Sequence, residues 1–409
     1  MFIWISSGSN ILFGFLIQVK LTAILSIEHY GLFSASMGVI NLLVPVAGMG
    51  VASFWLKMYG KHSALDSNVV KISIRLIMIV LMFIIFSIFI YAEYCTNDPL
   101  ETRTIRLLSL TIVGVVFVDL ISTKLQIENK FLKYSLLQSS TLLLKFLSLT
   151  TLSFFVDDIN SEVIAIVWFV ITLIVISIYF KDLRIILFAR PGVSIISKTQ
   201  RETVSLTSVF KGSWLFAGTG VLYLVWNQGH IVYSQKLFGN YQAGIYNTAM
   251  VLSAAISLFP NVVFSKLLLP RYHQFIYNNM NALKKYFFWG NILLFSFGIF
   301  TSIMVITFSE FIIGHFFGEG YNESIYLLKL ISLTFPFRFL GFNSGSIIST
   351  GDHIKVKFRA LLIVSFINLL LAYYLSKVYG IVGMAMSISL SELVLVGFYI
   401  FYVKRIILR

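Results

Sequence analysis

Charge is scarce in this chain, and so is every residue type that builds disulfides, metal centres or flexible linkers. Only 12% of the 409 residues are charged. A soluble globular domain carries about 25%. The single cysteine, Cys95, excludes an intrachain disulfide and cannot form a metal site alone. There is no paired CxxC zinc spacing, no HExxH and no calcium-loop pattern. A GxxxxGK[ST] phosphate loop is also missing, so the chain does not bind ATP in that way. The six prolines are Pro45, Pro99, Pro191, Pro260, Pro270 and Pro336, and no low-complexity stretch sets off a soluble domain. The opening MFIWISSGSN has neither a basic stretch nor a small-residue cleavage site, so it reads as a first membrane span.

What is present is apolar. Hydrophobic residues make up 58% of the chain, against about 45–50% in soluble domains. The excess must face lipid, which weighs against soluble enzymes and nucleic-acid-binding domains. A membrane-crossing helix needs roughly 20 mostly apolar residues. About twelve such windows follow one another, near 3–25, 32–55, 73–93, 105–122, 134–156, 162–180, 212–235, 242–265, 287–308, 325–348, 358–377 and 381–403. Continuous runs such as 76–90 do not fit the short alternating strands of an outer-membrane barrel. Helices satisfy their own backbone in lipid, so an all-α protein is expected.

The charges then sort by side. With the N-terminus inside, one set of loops holds Lys57, Lys61, Lys71 and Arg75, then Lys124, Lys130 and Lys133. The same side receives Arg190, Lys198, Arg201, Lys266, Lys355, Lys357, Arg359, Lys404, Arg405 and Arg409. The other side holds Lys20, Arg103, Arg106, Lys236, Lys329 and Lys377 among acids such as Glu93, Asp157, Glu310 and Glu323. Cytoplasmic loops carry the excess of Lys and Arg, so both termini are expected in the cytoplasm. The net charge of +14 is then attraction to the anionic inner leaflet, and no nucleic-acid partner is needed.

The two halves resemble each other. Gly31-Leu32-Phe33-Ser34-Ala35-Ser36-Met37 aligns with Gly244-Ile245-Tyr246-Asn247-Thr248-Ala249-Met250, and in the same register Tyr59 meets Tyr272. Pro45 and Pro260 sit deep in the span after each motif. The expected organisation is an N-terminal six-helix half at 1–180, a basic cytoplasmic linker at 181–211 broken by Pro191-Gly192, and a C-terminal six-helix half at 212–409. Such a parallel pseudo-repeat of about twelve transmembrane helices is a secondary-transporter layout, with a substrate site near midplane.

Several motifs point to a family. Leu25-Ser26-Ile27-Glu28-His29-Tyr30-Gly31-Leu32-Phe33 resembles the "L-G-x-x-x-Y-G-x-F" opening of bacterial polysaccharide flippases, with Ser26 in place of the first glycine. Gly239-Asn240-Tyr241-Gln242-Ala243-Gly244-Ile245-Tyr246-Asn247-Thr248-Ala249 resembles their "G-x-x-x-x-G-x-Y-x-x-A". Phe317-Gly318-Glu319-Gly320-Tyr321 and Tyr379-Gly380-Ile381-Val382-Gly383-Met384-Ala385 look like "F-G-x-x-Y" and "Y-G-x-x-G-x-A". The chain is thus similar to Wzx-type O-antigen or polysaccharide repeat-unit flippases of the MOP exporter superfamily. The resemblance implies transfer of an undecaprenyl-diphosphate-linked oligosaccharide from the cytoplasmic to the periplasmic leaflet of the inner membrane. It implies no cofactor, coupling to a proton or sodium gradient, and an O-antigen polymerase and chain-length regulator as partners. One departure is Trp226-Asn227-Gln228-Gly229-His230, where the family often has an acid in helix seven.

A diphosphate crossing about 30 Å of hydrocarbon needs cations inside the protein. Charges inside spans are costly, so they invite functional readings. Lys145, Arg338 and Glu392 fall near the predicted midplane. Arg338 is a candidate fork for the diphosphate, or the partner of Glu392 in a buried ion pair. Lys145 has no obvious partner and reads as a substrate cation. Glu392 and Asp119 are candidates for ion coupling, with Lys124 near enough in sequence to pair Asp119 instead. Lys20 and Gln18 fall on the first span and are expected toward the cleft, although Lys20 also suits snorkelling, as do Arg75 and Lys329. Tyr223, Trp226, Asn227, Gln228 and His230 cluster in the seventh span and suit sugar contact, or an interfacial aromatic belt. Pro45, Pro260 and Pro336, with Gly48, Gly50, Gly218 and Gly220, are expected at kinks or close helix contacts. Two alternatives stand beside the flippase reading: a drug exporter of the same superfamily, and an O-antigen polymerase or glycosyltransferase. The second usually carries a long outer loop, whereas the longest here, near 94–104 and 309–324, are short.

Overall fold

The computed structural model describes residues 2–62, 65–96, 98–156, 158–188, 196–197, 205–264, 268–350 and 353–407. The Pro191-Gly192 break and the cations Arg190, Lys198, Arg201, Lys266 and Arg409 lie outside them, as does Asp157. Helices account for nearly all of the described chain: α1 Phe2–Ile24, α2 Ile27–Ala47, α3 Val51–His62, α4 Ser67–Tyr94, α5 Pro99–Ile127, α6 Phe131–Phe155 and α7 Ser161–Ile178. There follow α8 Phe180–Phe188, α9 Leu206–Val262, α10 Leu269–Asn278, α11 Met280–Phe316, α12 Glu323–Ser332, α13 Phe335–Ile348 and α14 Ile354–Tyr402. Two two-residue strands, Leu65–Asp66 and Ile196–Ser197, pair in parallel. Part of the expected linker, Phe180–Phe188, is thus the short helix α8.

Eight helical spans among the described residues are long and apolar enough to cross a membrane, and nine if α12 and α13 count as one bent span. Their outward faces are large and apolar, as at Met82, Phe83 and Phe86 on α4. Patches this extensive do not face water in a monomer. The protein is therefore a multi-pass membrane protein.

Polar residues set where these helices begin. Asp66, Asp98, Asn160 and Asn279 accept backbone N–H groups at the starts of α4, α5, α7 and α11, at 2.8–3.0 Å. An N-cap of this kind is worth about 1 kcal/mol. Each helix consequently starts earlier than its apolar window. Ser26 caps α2 by accepting from His29 N at 3.2 Å, in an extended conformation. That explains a serine where the related motifs have glycine. Three of the motif glycines, Gly239, Gly318 and Gly380, have positive φ, where a side chain would be strained. Gly239 and Gly380 interrupt α9 and α14, so each long rod is two helices across a kink.

The chain packs as two compact units, Met1–Leu224 and Val225–Arg409. The division falls inside α9, because its first turns pack on the earlier helices. A Cβ at Gly212 would meet Phe54, one at Gly220 would meet Pro45, and one at Gly50 would lie 2.7 Å from Ser213 O. In the first unit α1 packs on α6, and α5 on α2, α4 and α7. In the second, α13 packs on both α11 and α14. A Cβ at Gly298 of α11 would run into the Pro336 backbone, so only glycine allows this approach. Pro336 does not sit inside a helix. It opens α13, just past a 51° bend between α12 and α13, where its missing N–H costs nothing.

Candidate functional site

Lys145 lies on α6 within the first unit. Its ammonium stands 4.1 Å over the ring of Trp168 on α7. Trp168 is itself held edge-on by Phe33 of α2, with ring centroids 4.9 Å apart. No carboxylate pairs with Lys145 among the described residues. A cation over tryptophan gains about 0.5–2 kcal/mol. Removing an ammonium from water costs several kcal/mol. The ring therefore positions this charge without neutralising it. On α1, Gln18 accepts from Tyr30 OH at 3.0 Å, while Lys20 is half-buried with no ion pair among the described residues. Asn10, on the same helix, has a buried Oδ1 that accepts no hydrogen bond from the described residues.

Asp119 and Lys124 are not partners. Five residues rotate a helix by about 500°, which leaves the two side chains about 140° apart. Asp119 is exposed on α5. Lys124 instead binds Glu128 at 2.8 Å and Asp182 of α8 at 2.6 Å, and it is only 3% exposed. Lys130 reaches the same Glu128 at 2.7 Å, and that hydrogen bond raises the Lys130 ammonium above its ordinary pKa.

The second unit buries a different pair. Arg338 on α13 and Glu392 on α14 are 11% and 3% exposed. Nε and Nη2 of Arg338 both reach Oε2 of Glu392 at 2.7 Å. Its Nη1 donates to Ser253 Oγ of α9 at 2.6 Å, and the guanidinium lies 5.9 Å from the Phe335 ring. Two of the three charges expected near midplane thus form an ion pair in this conformation. Beside Glu392, Ser391 Oγ accepts from Asn368 Nδ2 at 2.6 Å, and Asn368 Oδ1 meets His230 Nε2 at 2.7 Å. His230 is buried, and its Nδ1 has no hydrogen-bond partner among the described residues. The buried Tyr246 ring stacks at 6.1 Å from the imidazole, with its hydroxyl also lacking one.

The remaining residues of the seventh-span cluster separate. Tyr223 is exposed and belongs to the first unit, whereas Trp226, Asn227 and Gln228 belong to the second. Trp226 is buried and the two amides are half-buried. Arg75 is exposed, and Lys329 pairs with Glu310 at 3.1 Å. Sequence reasoning overlooked Asn368, Ser391, Ser253 and Trp168. Asn368 had a signal, as the one amide in the apolar stretch 360–372. Trp168 had none, because a tryptophan in an apolar helix is ordinary.

Solved membrane transporters share this fold. Lipid II flippase MurJ in an inward closed conformation is similar at TM-score 0.74 and 15% identity, covering 98% of this chain and 87% of that one. An inward-facing multidrug resistance MATE transporter of the MOP superfamily gives TM-score 0.71 at 12% identity, covering 97% and 94%. The fold is that of the MOP superfamily transporters. A family described as "Polysaccharide biosynthesis protein" matches residues 1–276, and the chain belongs to that family. Capsular polysaccharide biosynthesis protein CapF of Staphylococcus aureus is 29% identical over 180 residues. That stretch is 42% of this chain and 43% of the relative, so less than half of the relative's length is matched.

Proposed function

We propose that this protein flips a polyprenyl-diphosphate-linked oligosaccharide, an O-antigen or capsule repeat unit, from the cytoplasmic to the periplasmic leaflet by alternating access. The observation that carries the reading is Lys145. It is a cation in the membrane-spanning part of the first unit, held by a tryptophan face and by no carboxylate among the described residues. Its missing counter-charge is supplied by the diphosphate. Family membership and the MurJ-like fold support the substrate class. Twelve crossings follow if α9 and α14 each count as two spans, at Gly239 and Gly380, and α1, α6 and the bent α12–α13 pair are added to the remaining long helices. The distribution of Lys and Arg supports cytoplasmic termini in a bacterial inner membrane.

In this cycle Arg338 exchanges Glu392 for a phosphate oxygen, and a proton or sodium ion on Glu392 favours the exchange. Asp119, exposed on α5, is the second coupling candidate. Aromatic and amide groups at Tyr223, Trp226, Asn227 and Gln228 serve the sugars, and Gln18 and Lys20 serve the headgroup. No bond is made or broken. The test is surface polysaccharide in cells carrying Lys145→Ala or Lys145→Arg, with membrane abundance measured in parallel. Loss in the first and partial retention in the second are expected. Normal display with Lys145→Ala would remove the site assignment. The MATE-like fold supports a second reading, export of a drug or metabolite. Dye efflux that persists in Lys145→Ala and is accompanied by no glycan defect in a deletion strain selects that reading.

A further inference from the structure

One histidine stands where four helical arms of the second unit meet. His230 and Tyr246 lie on α9, before and after the kink at Gly239, and Asn368 and Ser391 lie on α14, before and after the kink at Gly380. All four are buried. The imidazole is thus held by both arms of both kinked rods.

The hydrogen on this ring is fixed by its partners. The Ser391 hydroxyl lies 2.7 Å from Ser387 O and 3.1 Å from Ile388 O, so its one proton goes to the backbone of its own helix. Its oxygen is left to accept, and Asn368 Nδ2 donates to it at 2.6 Å. That bond orients the Asn368 amide, with Oδ1 toward His230 Nε2 at 2.7 Å. A carbonyl oxygen only accepts, so Nε2 carries the hydrogen and a neutral ring has a bare lone pair at Nδ1. Nδ1 is buried with no hydrogen-bond partner among the described residues, and the Tyr246 hydroxyl on the stacked ring also has none. An unmet buried acceptor costs about 1–3 kcal/mol, which a purely structural histidine would avoid.

No carboxylate pairs with His230 among the described residues. The titratable groups of the surrounding helices are Tyr246 and Tyr233 on α9, and Glu392, Tyr373 and Lys377 on α14. Glu392 is held by Arg338 of α13, and the exposed Lys377 donates to Tyr373 OH. A proton entering at Nδ1 leaves the Nε2 bond to Asn368 intact.

We propose that His230 is a proton-binding site, loaded at Nδ1 during the transport cycle and separate from the Glu392–Arg338 pair. A dry site opposes an unpaired charge, so the proton is taken from water when the ring is wetted and returned to water when it is enclosed as here. No other bond changes. The link to transport rests on the flippase reading, whereas proton binding does not.

The test uses the full-length protein with isotope-labelled histidine in bilayers of phosphatidylethanolamine and phosphatidylglycerol, read by nitrogen solid-state NMR. His230→Gln identifies the His230 signals among those of the six histidines. At about pH 8 the ring should carry its hydrogen on Nε2 with Nδ1 bare, and lowering the pH to about 5 should add a protonated Nδ1. Hydrogen on Nδ1 at the higher pH, or a ring still neutral at the lower, overturns the proposal. A second arm measures surface polysaccharide in cells whose pH gradient is collapsed with nigericin. His230→Gln keeps a donor for Asn368 Oδ1 but has no basic nitrogen, so a structural role alone would leave its response like the parent's. The parent should lose display by about five-fold or more, and the variant, at equal membrane abundance, should not respond. Equal responses overturn the coupling. His230→Asn takes its place if His230→Gln does not reach the membrane. Normal polysaccharide in a deletion strain would instead remove the flippase reading, and the NMR arm alone then decides whether His230 binds a proton.

Discussion

Replacing Glu392 by glutamine leaves the Arg338 guanidinium in place without its carboxylate. The pair is nearly closed to solvent, with both donors on one oxygen at 2.7 Å. Breaking such a pair by removing one partner costs about 3–5 kcal/mol, because an uncompensated buried charge remains. For a unit of this size each kcal/mol is worth about 2–4 °C, so the apparent melting temperature should fall by about 6–20 °C. Arg338→Leu should cost a similar amount. The double variant Arg338→Leu with Glu392→Leu should return close to the parent, because a buried ion pair and an apolar pair of similar volume are often equivalent. Fluorescence-detected gel filtration after heating gives the three values. Glycan display then separates stability from transport, since a stable double variant that displays no polysaccharide places the Arg338–Glu392 pair in the transport cycle. Single variants that melt with the parent, or a double variant that loses the sum of the two, would refute the buried-pair reasoning.

Four further outcomes follow from the same geometry. Trp168→Leu removes the ring beneath Lys145 and should lower glycan display more than it lowers melting temperature, read in the same two assays. Gly298→Ala drives a methyl into the Pro336 backbone and should strongly reduce folded yield, measured as the monodisperse fraction on gel filtration. Tyr272→Phe strips the donor from Asn343 Oδ1, a buried bond of 2.7 Å, and should cost about 1–3 kcal/mol in thermal stability. Lys124→Met leaves Glu128 and Asp182 facing each other and should destabilise the first unit, whereas Asp119→Asn, on an exposed acid, should not.

Much of the architecture was legible because lipid imposes a simple rule. Apolar runs had to be helices, and the expected windows fall on helical chain, although 32–55 crosses the turn between α2 and α3 and 325–348 the bend between α12 and α13. The motif glycines at 239, 318 and 380 were equally legible, since positive φ leaves a residue signature. Helix starts were not, because single polar caps such as Asn160 and Asn279 look like loop residues in a linear reading. Within the site, charge stranded in apolar windows pointed to Lys145, Arg338 and Glu392. Partners did not follow. Asp182 is 58 positions from Lys124, and Trp168 offers no local hint that it lies under an ammonium. Proximity along the chain favoured Asp119 for Lys124, where helical rotation forbids it. Pairing is a tertiary property, while burial in lipid is largely a local one.

The kinks at Gly239 and Gly380 have a bearing on how this molecule is handled at the bench. Each joins two apolar helices through a single left-handed residue, and a side chain there would meet nothing within 4 Å. The obstacle to substitution is torsional and not steric. Such a join offers no slack for a protease to thread and no strand of loop in which to graft an epitope. Topology reporters belong elsewhere, because these two joins should resist both cleavage and insertion.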